Sequence, residues 1–113
     1  MNTEEAKQFV VAQGIGPDGL TVQARMGSDP GAAVFDQLIV ALRELTTSLA
    51  DQDLVEKDLA LALFSLAAHV PSQYEIWSGR GITFRSDLMG SDIYRLACAA
   101  ESVFVGEWIE FEQ

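Results

Sequence analysis

His69 and Cys98 are the single histidine and single cysteine of the chain, and acid–base or nucleophilic chemistry near neutral pH is ordinarily built from such groups. Catalysis needs them brought together in a pocket with partners that set their protonation. His69 falls just ahead of Pro71, in the last turn of a predicted helix, where a histidine meets the negative end of the helix dipole or caps a carbonyl. Cys98 sits among Leu96, Ala97, Ala99 and Ala100, the setting of a small core residue with an unreactive thiol. No enzyme activity is expected from this stock.

Metal chemistry is equally poorly supplied. One histidine and one cysteine do not make the three or four nitrogen and sulfur ligands of a zinc site. Asp51, Asp53, Glu56 and Asp58 resemble the start of a calcium loop, but Glu56 stands where the sharp turn wants glycine, and the spacing is that of a charged helix start. Gly14-Ile15-Gly16 lacks the third glycine and the lysine of a phosphate-binding loop and reads as a turn. Neither a metal nor a cofactor is expected.

What the chain has in surplus is carboxylate. Seventeen acidic against seven basic side chains give a formal net charge of −10, which repels nucleic acid and anionic membrane and attracts a basic protein surface. Two clusters could make specific contacts. In the first, Glu107, Glu110 and Glu112 alternate with Trp108 and Phe111 in a tail devoid of lysine and arginine, combining aromatic anchors with a charged rim. In the second, Tyr74, Trp77, Arg80 and Arg85 surround a glycine-rich segment and include the residue types most enriched at binding hot spots. The opposing readings are that the tail rings close the core, that Trp77 plugs the end of the helices, and that the arginines pair with nearby carboxylates.

The elements that must position these residues follow from local signals. Thr3 with Glu4 and Glu5 starts a helix that Gly14 should stop. Leu20, Val22, Ala24 and Met26 alternate with polar residues and predict one short strand. Asp29-Pro30 opens a second helix to about Ala50, with Val34, Leu38, Ala41, Leu42, Leu45 and Leu49 on one face. Asp51 and Asp53 open a third helix. Its stripe of Val55, Leu59, Ala62, Leu63, Leu66 and Val70, widened by Leu61, Phe64 and Ala68, marks the central element, ended by Pro71. Residues 72–90 read as turns and short extended pieces with buried anchors. Ser91 or Asp92 caps a fourth helix carrying Ile93, Leu96, Ala100, Val103 and Phe104, closed by Gly106, and the tail beyond it is a short strand or ordered arm.

With 49% hydrophobic and 21% charged residues, the chain is expected to fold as one domain over 1–113, mainly α. The predicted architecture is a compact four-helix-type bundle with one or two minor strands or extended arms. A lone cysteine suits a reducing compartment, the Met1 to Phe9 start has no leader pattern, and the Leu59 to Val70 run is too short to cross about 30 Å of hydrocarbon, so a cytoplasmic location is expected. The leading functional expectation is a non-enzymatic module that binds a basic protein. Size, charge and sparse catalytic equipment, rather than any motif, suggest a bacterial immunity or antitoxin-like protein that neutralises a cationic toxin. The runner-up is a structural or regulatory homodimer joined through Leu38, Leu42, Leu45 and Leu49, and an enzyme of unrecognised type stands third.

Overall fold

Apolar residues recurring every three and four positions can bury a common face only as helices, and helices are what the chain forms. The computed structural model describes residues 1–112 as α1 (Thr3–Ile15), α2 (Leu20–Arg25), α3 (Ala32–Ser48), α4 (Lys57–Phe64), α5 (Val70–Gly79) and α6 (Ile93–Val105). Two π turns, Ser65–His69 and Leu88–Asp92, run directly into α5 and α6. No strand occurs among the described residues, and no helix there is long and apolar enough to cross a membrane.

Contacts at the helix ends set the topology. The Thr3 hydroxyl lies 2.8 Å from Ser48 Oγ, so α1 begins where α3 finishes. Lys7 pairs with Glu56 at 3.1 Å, and Gly14 lies against Ala62, so α1 and α4 run in the same direction. Arg95 pairs with Asp36 at 3.0 Å while Gly106 meets Ala50, making α3 and α6 parallel. The four rods are α1, α3, α4 with its π turn, and α6. At one end lie α2 and α5; at the other, the link from Leu49 to Glu56 meets Gly106. The core is the facing stripes Leu38, Leu42 and Leu45, Leu59, Leu63 and Leu66, and Ile93, Leu96 and Ala100, all buried.

Several local expectations are corrected. The segment predicted as a strand is α2: Leu20, Thr21 and Ala24 are buried at helical spacing, while Met26, which alternation would place inside, is 70% exposed. A lone strand would have found no partner, whereas the Leu20 N–H donates to the side chain of Gln13 at 2.9 Å, a tertiary cap that starts the helix. Asn2 rather than Thr3 caps α1, in a reciprocal box with Glu5. Gly14 lies inside α1, and the backbone of Gly16 closes it. Asp29, three residues ahead of α3, accepts from the Gly31 N–H rather than capping the helix, and the third helix begins only at Lys57. Neither Ser91 nor Asp92 caps α6, because both lie in the π turn that runs into it; the Ser91 hydroxyl donates to the Asp87 carbonyl at 3.1 Å and the Asp92 carboxylate accepts from Arg85.

Pro71 does not end the central helix. The Val70 N–H bonds to the Ser65 carbonyl five residues back, the surplus residue of a π turn, and this opens the ladder beside a proline that lacks a donor. Residues 70–79 therefore continue as α5 instead of breaking into turns. Of the widened stripe on α4, Leu61 and Phe64 face outward, 52% and 54% exposed. The face assigned to a homodimer is corrected too: Leu38, Leu42 and Leu45 are buried and Leu49 is half-buried against them, so that surface is already used inside the bundle.

Candidate functional site

Most of the second sequence cluster is architecture. Tyr74 is fully buried, so it is not a surface contact; its hydroxyl donates to the Ser28 carbonyl at 2.7 Å and its ring meets Phe84 edge-on at 5.2 Å. Burial, with the nearby Asp29 charge, pushes its phenol well above the ordinary range and keeps it a neutral donor. Trp77 is half-buried over Gly27, where a Cβ would come within 3.1 Å of the ring, and its indole N–H donates to the Arg25 carbonyl at 3.2 Å. Arg80 is exposed, with its guanidinium 5.5 Å from the Trp77 ring centre. Trp77 thus fastens the α2–α3 link to α5, as the plug reading anticipated. Replacing Tyr74 with phenylalanine is expected to lower the unfolding free energy by about 1 kcal/mol, since water can reach the exposed Ser28 to replace the lost donor; chemical denaturation measures it.

Arg85 is the centre of the densest polar network. Its Nε and Nη2 form a fork on Asp29, at 2.9 and 3.2 Å, while Nη1 reaches Asp92 at 2.8 Å. The hydrogen bond to Asp29 leads the effects that tighten the guanidinium's hold on its proton, more than offsetting burial. At Asp29, burial pushes the carboxyl upward, but the hydrogen bonds from Arg85 and the Gly31 N–H together hold it below the usual carboxylate range. The network ties the start of α3, the loop after α5 and the start of α6. Arg85 thus realises the reading in which the arginines pair with carboxylates, through Asp29 and Asp92, which no local spacing marks as its partners.

The tail is an ordered strap rather than a strand. Gly106 takes a left-handed conformation, φ +84°, that closes α6 and turns the chain back along it. The Ile109 N–H then donates to Ser102 Oγ at 2.8 Å, Trp108 packs half-buried under the Arg43 guanidinium at 4.4 Å, and Phe111 stacks on Tyr94 at 6.0 Å. Trp108 donates its N–H to Glu110 at 2.9 Å, and Arg43 lies 3.8 Å from the same carboxylate. Glu107, Glu110 and Glu112 are all exposed. The tail has no cation in sequence, and α3 supplies one in space. A cleft of about 400 Å³ opens beside it, lined by Arg43, Thr46, Thr47, Ala50, Glu107 and Trp108.

The contact between Gly106 and Ala50 brings Glu107 to the same end of the bundle as Asp51, Asp53 and Glu56, all exposed, with Leu54 among them at 87% exposure. Lys57 adjoins this group, and Lys7 is paired with Glu56. The two sequence clusters begin at opposite ends of the bundle, and the strap of the first ends with Phe111 stacked on Tyr94, whose hydroxyl donates to Glu75 of α5 at 2.9 Å.

His69 is exposed, edge-on to Phe64 at 5.1 Å. Burial, and secondarily the Glu101 charge, pushes the Cys98 thiol up, which lowers its thiolate fraction. No group of three or more His, Cys, Asp or Glu side chains placed to hold a metal occurs among the described residues.

Fold and surface together define a small all-helical bundle with one carboxylate-rich end. Comparison with family models, with curated proteins and with solved structures gives no match to the chain.

Proposed function

We propose that the protein is a non-enzymatic binding module that engages a basic protein through its carboxylate-rich end. The observation that carries this reading is the convergence of Asp51, Asp53 and Glu107 from separate segments around an exposed Leu54 and a cleft walled by Trp108. Apolar contacts within a rim of like charge combine desolvation energy with long-range attraction for an oppositely charged partner. A cationic toxin, such as a nuclease whose substrate surface is positive, fits that chemistry and makes an immunity or antitoxin-like role the concrete form of the proposal.

The test is titration of the protein against basic products of adjacent genes. Asp51→Lys, Asp53→Lys and Glu107→Lys together are expected to weaken binding by about a hundredfold, at about 1 kcal/mol per rim charge, and to flatten its salt dependence. Affinity indifferent to both salt and charge reversal removes the reading.

A second reading, self-association, now rests on Leu61 and Phe64, which with Ala68 form an outward apolar stripe along α4 and its π turn. Sedimentation at micromolar concentration decides it: a monomer excludes this interface, and a dimer dissociated by Phe64→Glu supports it.

A further inference from the structure

Away from the carboxylate-rich end, a cleft of about 300 Å³ lies between the end of α1, α2 and the π turn of the central helix. In a chain with seventeen acidic residues, none lines it. Arg25 does line it, and this exposed guanidinium makes no ion pair among the described residues, although Lys7, Arg43, Arg85 and Arg95 each do.

Thr21, 5% exposed, lines the same cleft, and its hydroxyl is buried with no hydrogen-bond partner. A buried hydroxyl left unpaired is costly, and such groups are rare unless something outside the chain completes them. Ser65, likewise 5% exposed, contributes from the first position of the π turn, a distortion often found where a helix shapes a site. The remaining walls are the apolar side chains of Ile15, Val22 and Leu61, the backbone of Gly14 and Gly16, and the exposed imidazole of His69. Pockets of about this volume, with apolar walls and a few convergent polar groups, suit small ligands, and an arginine beside hydroxyl and imidazole donors selects a planar anion.

We propose that this cleft binds a small organic carboxylate with a compact apolar body, its oxygens taken by Arg25 and the hydroxyls of Thr21 and Ser65. The Thr21 side chain is then completed by the ligand, and the apolar body rests on Ile15, Val22 and Leu61. The site is independent of the carboxylate-rich end and stands whether or not a basic partner binds there.

Benzoate serves as the probe, with benzyl alcohol as the same ring without the charge, each titrated into the ¹⁵N-labelled full chain by NMR. Saturable shifts with benzoate at the amides of Gly14, Gly16, Val22 and Ser65, and none with benzyl alcohol, are expected. Arg25→Gln should weaken benzoate by about tenfold, the loss of a charge-assisted contact. Thr21→Val keeps the shape while removing the unpaired hydroxyl, so it should raise the melting temperature and weaken benzoate by about fivefold. Absence of saturable shifts, shifts centred elsewhere, or equal binding of benzyl alcohol would overturn the assignment. So would a Thr21→Val protein that is stabilised but binds benzoate unchanged.

Discussion

Replacing Arg85 with leucine is expected to lower the unfolding free energy by about 3 kcal/mol and the melting temperature by roughly 10 °C, read by urea denaturation and calorimetry. The size of the effect follows from what remains. Asp92 is only 8% exposed on its side chain and Asp29 21%, so leucine strands two partly desolvated carboxylates in a structure that also loses its tie between α3, the loop after α5 and α6. Lysine is not an adequate substitute, because one ammonium cannot reproduce a fork on Asp29 together with a third contact to Asp92; Arg85→Lys should forfeit about half of the loss seen with leucine. If the stranded charge is the cause, adding Asp92→Asn to Arg85→Leu should recover about 1 kcal/mol, whereas a purely packing effect would give no recovery.

The same network has a pH signature whose sign is fixed by Asp29. Its carboxyl is held below its unfolded value, so the folded state favours the ionised form. That contribution is fully present above about pH 4, the unfolded value of an aspartate, and drains away as pH falls through the lower folded value. Protonation of the many exposed carboxylates relieves repulsion and acts in the opposite direction. The difference between wild type and Arg85→Leu cancels that background: the gap in stability should be widest near neutrality and narrow below pH 4. A gap unchanged down to pH 2 would detach Asp29 from Arg85.

The stripes of α3 and α6 were legible because apolar residues at three- and four-residue spacing have few other ways to hide together. The buried stripe of Leu59, Ala62, Leu63, Leu66 and Val70 was legible for the same reason, whereas the outward turn of Leu61, Phe64 and Ala68 within that apolar run was not. Gly106 could be identified as the end of α6 because a left-handed residue there wants no Cβ. The misread elements share a different feature: their conformations are decided by something distant. Residues 20–26 alternate like a strand but are capped by Gln13 from α1, and Pro71 is accommodated by a π turn that no local spacing announces. At the candidate sites the limit is the same. Arg85 and Asp29 are separated by 56 residues, and neither carries a local mark of the other. Arg43 is an ordinary polar-face residue of α3 until the strap folds under it, and the unpaired hydroxyl of Thr21 is a property of packing that composition does not contain.

Gly14 shows how a residue can be noticed for one reason and needed for another. Its type and place suggest a helix terminator, yet it is an interior residue of α1 facing α4, where a Cβ would lie 2.5 Å from Ala62 Cβ and 2.6 Å from Ala62 Cα. Intrinsic helix propensity favours alanine over glycine at an interior position by about 1 kcal/mol, so an exposed Gly14 would make Gly14→Ala stabilising. Here the new methyl must push two helices apart along a contact that extends to Lys7 and Glu56, and overpacking of that kind costs about 2 kcal/mol. Gly14→Ala should therefore be net destabilising by about 1 kcal/mol, and Gly14→Val, which adds bulk while sacrificing propensity, by about 3 kcal/mol or more. Ala62→Gly combined with Gly14→Ala should return only part of the loss, because the Ala62 backbone is itself within 2.8 Å of the added carbon. Thermal denaturation of the three variants separates the possibilities: a Gly14→Ala protein that melts above wild type would mean that α1 and α4 do not approach each other as closely as this packing requires.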